Sequence, residues 1–127
     1  ENIRRLAEVG THLARNGHIA IVAAVSPSVE DRAAARRIAD AAFREIYIAT
    51  PAEVCESRDP KGHYAKARAG KLNGFTGIGN DYQAPTASEL TIDTSSRSIA
   101  DATDDIERML AETGVLFSEL VDLAAHI

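Results

Sequence analysis

The chain has 127 residues, 45% of them hydrophobic and 26% charged, with a formal net charge of −5. That is the size and balance of one soluble globular domain, which excludes disordered and collagen-like classes. An acidic balance also argues against broad nucleic-acid binding, and the longest apolar run, HIAIVAAV from His18 to Val25, is far too short to span a bilayer. No signal-peptide pattern opens the chain, and the single cysteine, Cys55, permits no internal disulfide, so a cytoplasmic setting is expected. His12, His18, His63 and His126 lie too far apart to suggest a protein-held metal.

In chain order, Ile3, Leu6, Ala7, Val9, Leu13 and Ala14 recur at helical spacing, and Asn16-Gly17 stops that helix. The run 18–25 is rich in Ile and Val and predicts a strand buried on both faces. Ser28-Val29-Glu30-Asp31 reads as a capping box opening a helix to about Phe43. Glu45 to Ala49 reads as a second strand. Thr50-Pro51 reads as a cap with proline at the first helical position, leading into a short helix with Val54 and Cys55. A partly helical piece is expected from Tyr64 to Ala69, and a third strand from Leu90 to Asp93. Ser98 to Asp101 caps a last helix with Ile106, Met109 and Leu110 inward. Alternation of this kind means an α/β domain with a parallel sheet and flanking helices. The stretch 113–127, with VLFSELVDLAAHI at its end, reads as an added helix, a dimer element or the start of a neighbouring domain.

Ligands of open parallel sheets bind beyond the carboxyl ends of the strands, and two loops fit that position. The turn Val25-Ser26-Pro27-Ser28 taken by itself is a plain strand-to-helix turn, although it would present the Ser26 hydroxyl and free helix N–H groups to an anion. The connection after Arg58 carries Arg58, Lys61, Lys66, Arg68 and Lys71 against Asp59 alone, then Gly70, Gly74, Gly77 and Gly79 around Phe75 and Ile78. A local basic patch on an acidic protein suits a small anion. Glycine hinges, an apolar ring contact and cations for phosphate together describe a lid.

These pieces, in this order, resemble the adenylylsulfate kinase family. The likeness runs from ENIRR at Glu1 through AVSP (Ala24–Pro27), Asp31-Arg32, TPAEVCESRDPKG (Thr50–Gly62), KARAG (Lys66–Gly70), GFTGI (Gly74–Ile78) and Ala84-Pro85, to about Leu110. It implies a P-loop kinase-like fold for residues 1–112, with a lid over about 58–85. The implied activity is transfer of the γ-phosphoryl of ATP, with Mg²⁺, to the 3′-hydroxyl of adenosine 5′-phosphosulfate in sulfate assimilation. By that resemblance Asn2, Arg5, Val25, Ser26, Lys61, Gly74 and Phe75 would bind the adenylylsulfate. Arg58, Thr94 and Ala100 would flank the adenine of ATP. Ser26 and Lys61 would stand nearest the chemistry, for which in-line transfer needs only positioning and charge neutralisation. A homodimer, or fusion to an ATP sulfurylase, is within the family's range.

The chain also departs from the family pattern. It contains no Gly-x-x-x-x-Gly-Lys-Ser/Thr motif, so the first strand, the phosphate loop and its Mg²⁺-holding hydroxyl are absent from these 127 residues. The expectation is therefore the nucleotide-substrate part of a longer kinase, with the 127-residue polypeptide inactive by itself. Asn73, Gly79 and Ser28 replace the family's usual lysine, acidic residue and tyrosine. They leave open an alternative: a non-catalytic, kinase-like regulatory domain that holds a nucleotide.

Overall fold

The computed structural model describes residues 1–71 and 82–114. Helix α1 spans Asn2–Arg15. It ends where expected, with Asn16 and Gly17 N–H groups returning to Leu13 and Ala14 carbonyls and Gly17 at φ 83°. A left-handed residue costs glycine nothing, so the chain reverses there without strain. On the inner side of α1 the Thr11 hydroxyl donates to the Ala7 carbonyl at 2.7 Å, which satisfies a buried polar group within the helix.

The run 18–25 is not the doubly buried strand its composition predicts. It has no ladder partner among the described residues, and Ile19, Ile21, Val22 and Val25 are 50%, 88%, 50% and 65% exposed. Composition marks a segment suited to burial, but a strand exists only where a neighbour takes its N–H and C=O groups. What the run does contact is α1. A Cβ added at Gly10 would lie 3.6 Å from Val22 Cγ2, and Leu6, Val9, Gly10 and Leu13 form an apolar groove of about 440 Å³ with residues 19–23.

Helix α2, Val29–Ala39, packs on α1. Only half of the expected capping box forms: Ser28 Oγ accepts from Asp31 N at 3.4 Å, with no reciprocal bond. The helix also stops short of Phe43. Asp40 takes φ 49°, and a single 3₁₀ turn, Asp40–Ala42, replaces the last α-helical turn.

Strands β1 (Ile46–Ile48) and β2 (Leu90–Ile92) are the two that pair, in parallel, with Ile46 opposite Leu90 and Ile48 opposite Ile92. Helix α5, Ile99–Glu112, packs on β2. Ile92 at 2% exposure, Met109 of α5 and Ala35 of α2 are the buried apolar residues among those described. The core thus lies between β2 and the helices. At α5 the box is complete: Ser98 Oγ accepts from Asp101 N, and Asp101 Oδ2 accepts from Ser98 N.

Between the strands lie α3 (Ala52–Arg58) and α4 (His63–Arg68). Thr50 does not cap α3. Pro51 occupies the cap position, and its carbonyl accepts from Val54 and Cys55 N–H. The Thr50 hydroxyl is engaged elsewhere, as described below. Residues 72–81, with Asn73, Gly74, Phe75 and Gly79, lie outside the described residues, as does the tail 115–127. Among the described residues no helix is long and apolar enough to cross a membrane.

Candidate functional site

Two structured clusters flank the strand ends. The first arises because β1 and β2 keep their register beyond the last paired residues. Ala49 N donates to Ile92 O at 2.8 Å, so Thr50 and Thr94 come level. Their hydroxyls meet at 2.6 Å, and Thr94 N donates to Thr50 Oγ1 at 3.1 Å. Arg58, at the end of α3, then reaches across. Its Nη1 donates to Thr94 Oγ1 at 2.8 Å and its Nη2 to the Thr94 carbonyl at 2.9 Å. The guanidinium is held by two acceptors on one residue, which fixes its plane while leaving it exposed. A fixed planar cation at the carboxyl end of a parallel pair can stack on an aromatic base.

The second cluster surrounds the turn at Ser26. Ser26 is half-buried and sits at φ 45°, a left-handed conformation unfavourable for a residue with a side chain. Its carbonyl accepts from Arg32 Nη1 at 2.6 Å, while Arg32 Nη2 donates to the Gln83 carbonyl. Arg32 is 7% exposed, and its Nε makes a close ion pair with Glu45 at 2.8 Å. Residues 82 and 83 are drawn in by further contacts. Gln83 N donates to Pro27 O at 3.0 Å, Val29 N donates to Gln83 Oε1 at 2.9 Å, and the Tyr82 ring lies 5.8 Å from that of Tyr47, nearly parallel. The Arg32 guanidinium lies 5.4 Å from the Tyr82 ring centroid.

One helical turn along, Arg36 donates to both Glu89 oxygens, at 2.6 and 2.9 Å, and reaches Glu45 at 3.5 Å. Glu89 also accepts from Glu45 N at 2.6 Å. The Arg36 guanidinium therefore holds the Glu89 carboxyl down at about 2, against the opposing effect of burial, and the bonds to Glu89 raise Arg36 in turn.

Of the residues expected at the site, Arg58 and Thr94 are in direct contact, and Ser26 is fixed in a strained turn with Val25 exposed beside it. Asn2 is exposed at the first turn of α1, Lys61 in the turn between α3 and α4, and Ala100 in the first turn of α5. No hydrogen bond or ion pair joins these three to the others among the described residues. Arg5 is paired locally, its Nε donating to Glu1 Oε1 at 2.9 Å beside Arg4, which also bonds Glu1. Those two arginines pull the Glu1 carboxyl down to about 2. The Lys61 turn is shaped by Asp59, which accepts from Tyr64 and Ala65 N–H at 3.1 Å each and starts α4. Desolvation pushes the Asp59 carboxyl up, but the N–H donations from Ala65, Tyr64 and His63 outweigh it, so it ends low.

Arg32, Glu45, Tyr82 and Gln83 are structured partners to which the sequence alone gives no site role, and Thr50, which reads as a helix cap, serves here instead. A signal existed for Thr50: both strands end in the same way, Ile-Ala-Thr and Ile-Asp-Thr. Among the described residues no group of three or more His, Cys, Asp or Glu side chains is placed to hold a metal ion.

The chain matches the family model for adenylylsulphate kinase over residues 1–93. It is 45% identical over 120 residues to an adenylyl-sulfate kinase of Shewanella pealeana, covering 94% of this chain and 58% of that protein. To the adenylyl-sulfate kinase of Clostridium acetobutylicum it is 43% identical over 116 residues, again 58% of the relative. It thus spans a little over half the length of these curated relatives. Among solved structures, the Mycobacterium tuberculosis APS kinase CysC in complex with AMPPNP and APS matches with a TM-score of 0.83 and 44% identity, covering 87% of this chain and 65% of that one. The family match over most of the chain, these identities and the shared fold together mean that the chain belongs to the adenylylsulfate kinase family.

Proposed function

We propose that the protein of which these residues are part phosphorylates the 3′-hydroxyl of adenosine 5′-phosphosulfate with ATP, in sulfate assimilation in the cytoplasm. The observation that carries this reading is the match to a kinase solved with both AMPPNP and APS, over 87% of this chain. In this reading the two clusters have separate duties. The Arg58–Thr94 pair presents a flat cation to the adenine of ATP, and Ala100 closes on the same base. The Ser26 turn, Val25 and Asn2 receive the adenylylsulfate, with Lys61 supplying positive charge to its phosphate and sulfate. Gly74 and Phe75 complete the lid over that nucleotide.

Phosphoryl transfer places its main demand on alignment and charge neutralisation. Lys61, exposed and in no ion pair among the described residues, is the cation that the family resemblance assigns to that purpose. Mg²⁺ would accompany ATP and supply charge neutralisation at its phosphates. Arg5, engaged by Glu1, contributes to the nucleotide site only if that exposed pair opens, which solvent screening makes easy.

The test is an assay of the protein expressed from its natural reading frame, with γ-labelled ATP and adenylylsulfate. Label is expected in the 3′-phosphorylated nucleotide. Binding of adenylylsulfate without ATP-dependent transfer would instead identify a regulatory module, and absence of both would refute the reading altogether.

A further inference from the structure

We infer that Arg32 is a positioning residue for the nucleotide-substrate site, acting by clamping the Ser26 turn to residues 82 and 83. The inference rests on the functional reading above, in which Ser26 and Val25 receive adenylylsulfate. It adds a residue that touches neither substrate.

Arginine within a helix is ordinarily solvated, and burying one is costly unless its charge is paired and its donors are used. Arg32 has its charge paired and both outer nitrogens bonded, while its Nε faces Glu45 in an ion pair that is not a hydrogen bond. Glu45, at the threshold of β1, takes the charge at 2.8 Å, and the two outer nitrogens go to main-chain carbonyls of Ser26 and Gln83. Those carbonyls lie 57 residues apart in sequence, and neither belongs to a helix or strand. A single planar fork therefore ties two irregular segments to one rigid anchor.

The tie has a specific target. Ser26 holds an unfavourable φ of 45°, a conformation that persists only where surrounding bonds enforce it. The Arg32 bond to its carbonyl is one such restraint. The paired bonds between Pro27, Val29 and Gln83 are the others, and Arg32 fixes Gln83 as well. The Tyr47–Tyr82 stack beneath the guanidinium supports the second segment from the sheet side. Release of the fork would let Ser26 relax toward an ordinary backbone conformation. The turn would then no longer be pre-organised for its ligand.

The experiment compares wild type, Arg32→Lys and Gln83→Ala in the protein expressed from its natural reading frame. Lysine keeps the charge opposite Glu45 but cannot reach both carbonyls. The first readout, taken without substrate, is amide hydrogen exchange. In Arg32→Lys the Val29 and Gln83 amides are expected to exchange about tenfold faster, while Ala49, bonded to Ile92 within the sheet, keeps its protection. The second is a KM split: KM for adenylylsulfate rises about tenfold in Arg32→Lys, and KM for ATP stays within about twofold. Gln83→Ala, on an exposed residue, removes only the Val29 acceptor and is expected to raise KM for adenylylsulfate about threefold. It carries the test should Arg32→Lys fail to fold. Unchanged exchange, or faster exchange with unchanged adenylylsulfate KM, would overturn the clamp while leaving the kinase reading intact. A wild type that does not bind adenylylsulfate overturns the kinase reading and the inference with it.

Discussion

At position 58 an ammonium would carry the same charge as the guanidinium, but it could not donate to Thr94 Oγ1 and the Thr94 carbonyl in one plane. Arg58→Lys is therefore expected to raise KM for ATP about tenfold and leave KM for adenylylsulfate within about twofold. Equal effects on both substrates would mean that the residue does not serve the ATP side. Thr94→Val keeps the carbonyl acceptor, removes the hydroxyl, and should cost about threefold. The family resemblance points to both residues, but their contact is not legible in the sequence, since it depends on strand register being kept two residues past Ile48 and Ile92. Arg32 lies within the Asp31-Arg32 motif, but its task is not legible there for a related reason. An arginine in a helix with Ala33 to Ala35 looks like a surface residue until Glu45, thirteen positions later, is folded against it.

The joint between α2 and the amino ends of β1 and β2 depends on the ionisation of Glu89. Its carboxyl titrates at about 2 in the folded protein, well below the ordinary glutamate value of 4.5, chiefly through Arg36. A carboxyl lowered by folding stabilises the native state above its unfolded pKa, and that contribution is lost as pH falls from about 4.5 toward about 2. Glu89 is partly exposed, so solvent screening reduces the contribution to about 1 kcal/mol. Denaturation of wild type and Glu89→Gln at about pH 6 and about pH 3 checks the sign. Wild type should lose a little over half of that contribution relative to the variant over that interval, and parallel losses would refute the assignment. The elements around this joint were legible wherever local chemistry decides them. Asn16-Gly17 stops α1, and Ser98 with Asp101 starts α5, because caps and left-handed glycines act within a few residues. Where a competing partner intervenes, local signals mislead. Thr50 gives its hydroxyl to Thr94 and not to the first turn of α3. The run 18–25 has the composition of a buried strand, but composition cannot supply the ladder a strand requires.

At the scale of the whole molecule, the described residues bury few apolar side chains and leave many at the surface. Among the described residues three hydrophobic side chains are buried, whereas Val9, Ile19, Ile21, Val22 and Val25 are each at least half exposed. These five are not scattered. Val9, Ile19, Ile21 and Val22 line the groove between α1 and residues 19–23, and Val25 continues the same run toward the Ser26 turn. Isolated exposed aliphatics are ordinary, but a contiguous apolar face is an association surface, and a net charge of −5 gives only modest repulsion against it. The 127-residue polypeptide produced by itself is therefore expected to bind a hydrophobic dye such as ANS and to self-associate at tens of micromolar. Replacing Ile21, at 88% exposure, should cost little packing. Ile21→Lys is accordingly expected to reduce dye binding and shift sedimentation toward monomer, with helix content unchanged by circular dichroism. A polypeptide that is monomeric at about 100 micromolar and silent to the dye would show that the face is covered in solution, contrary to this account.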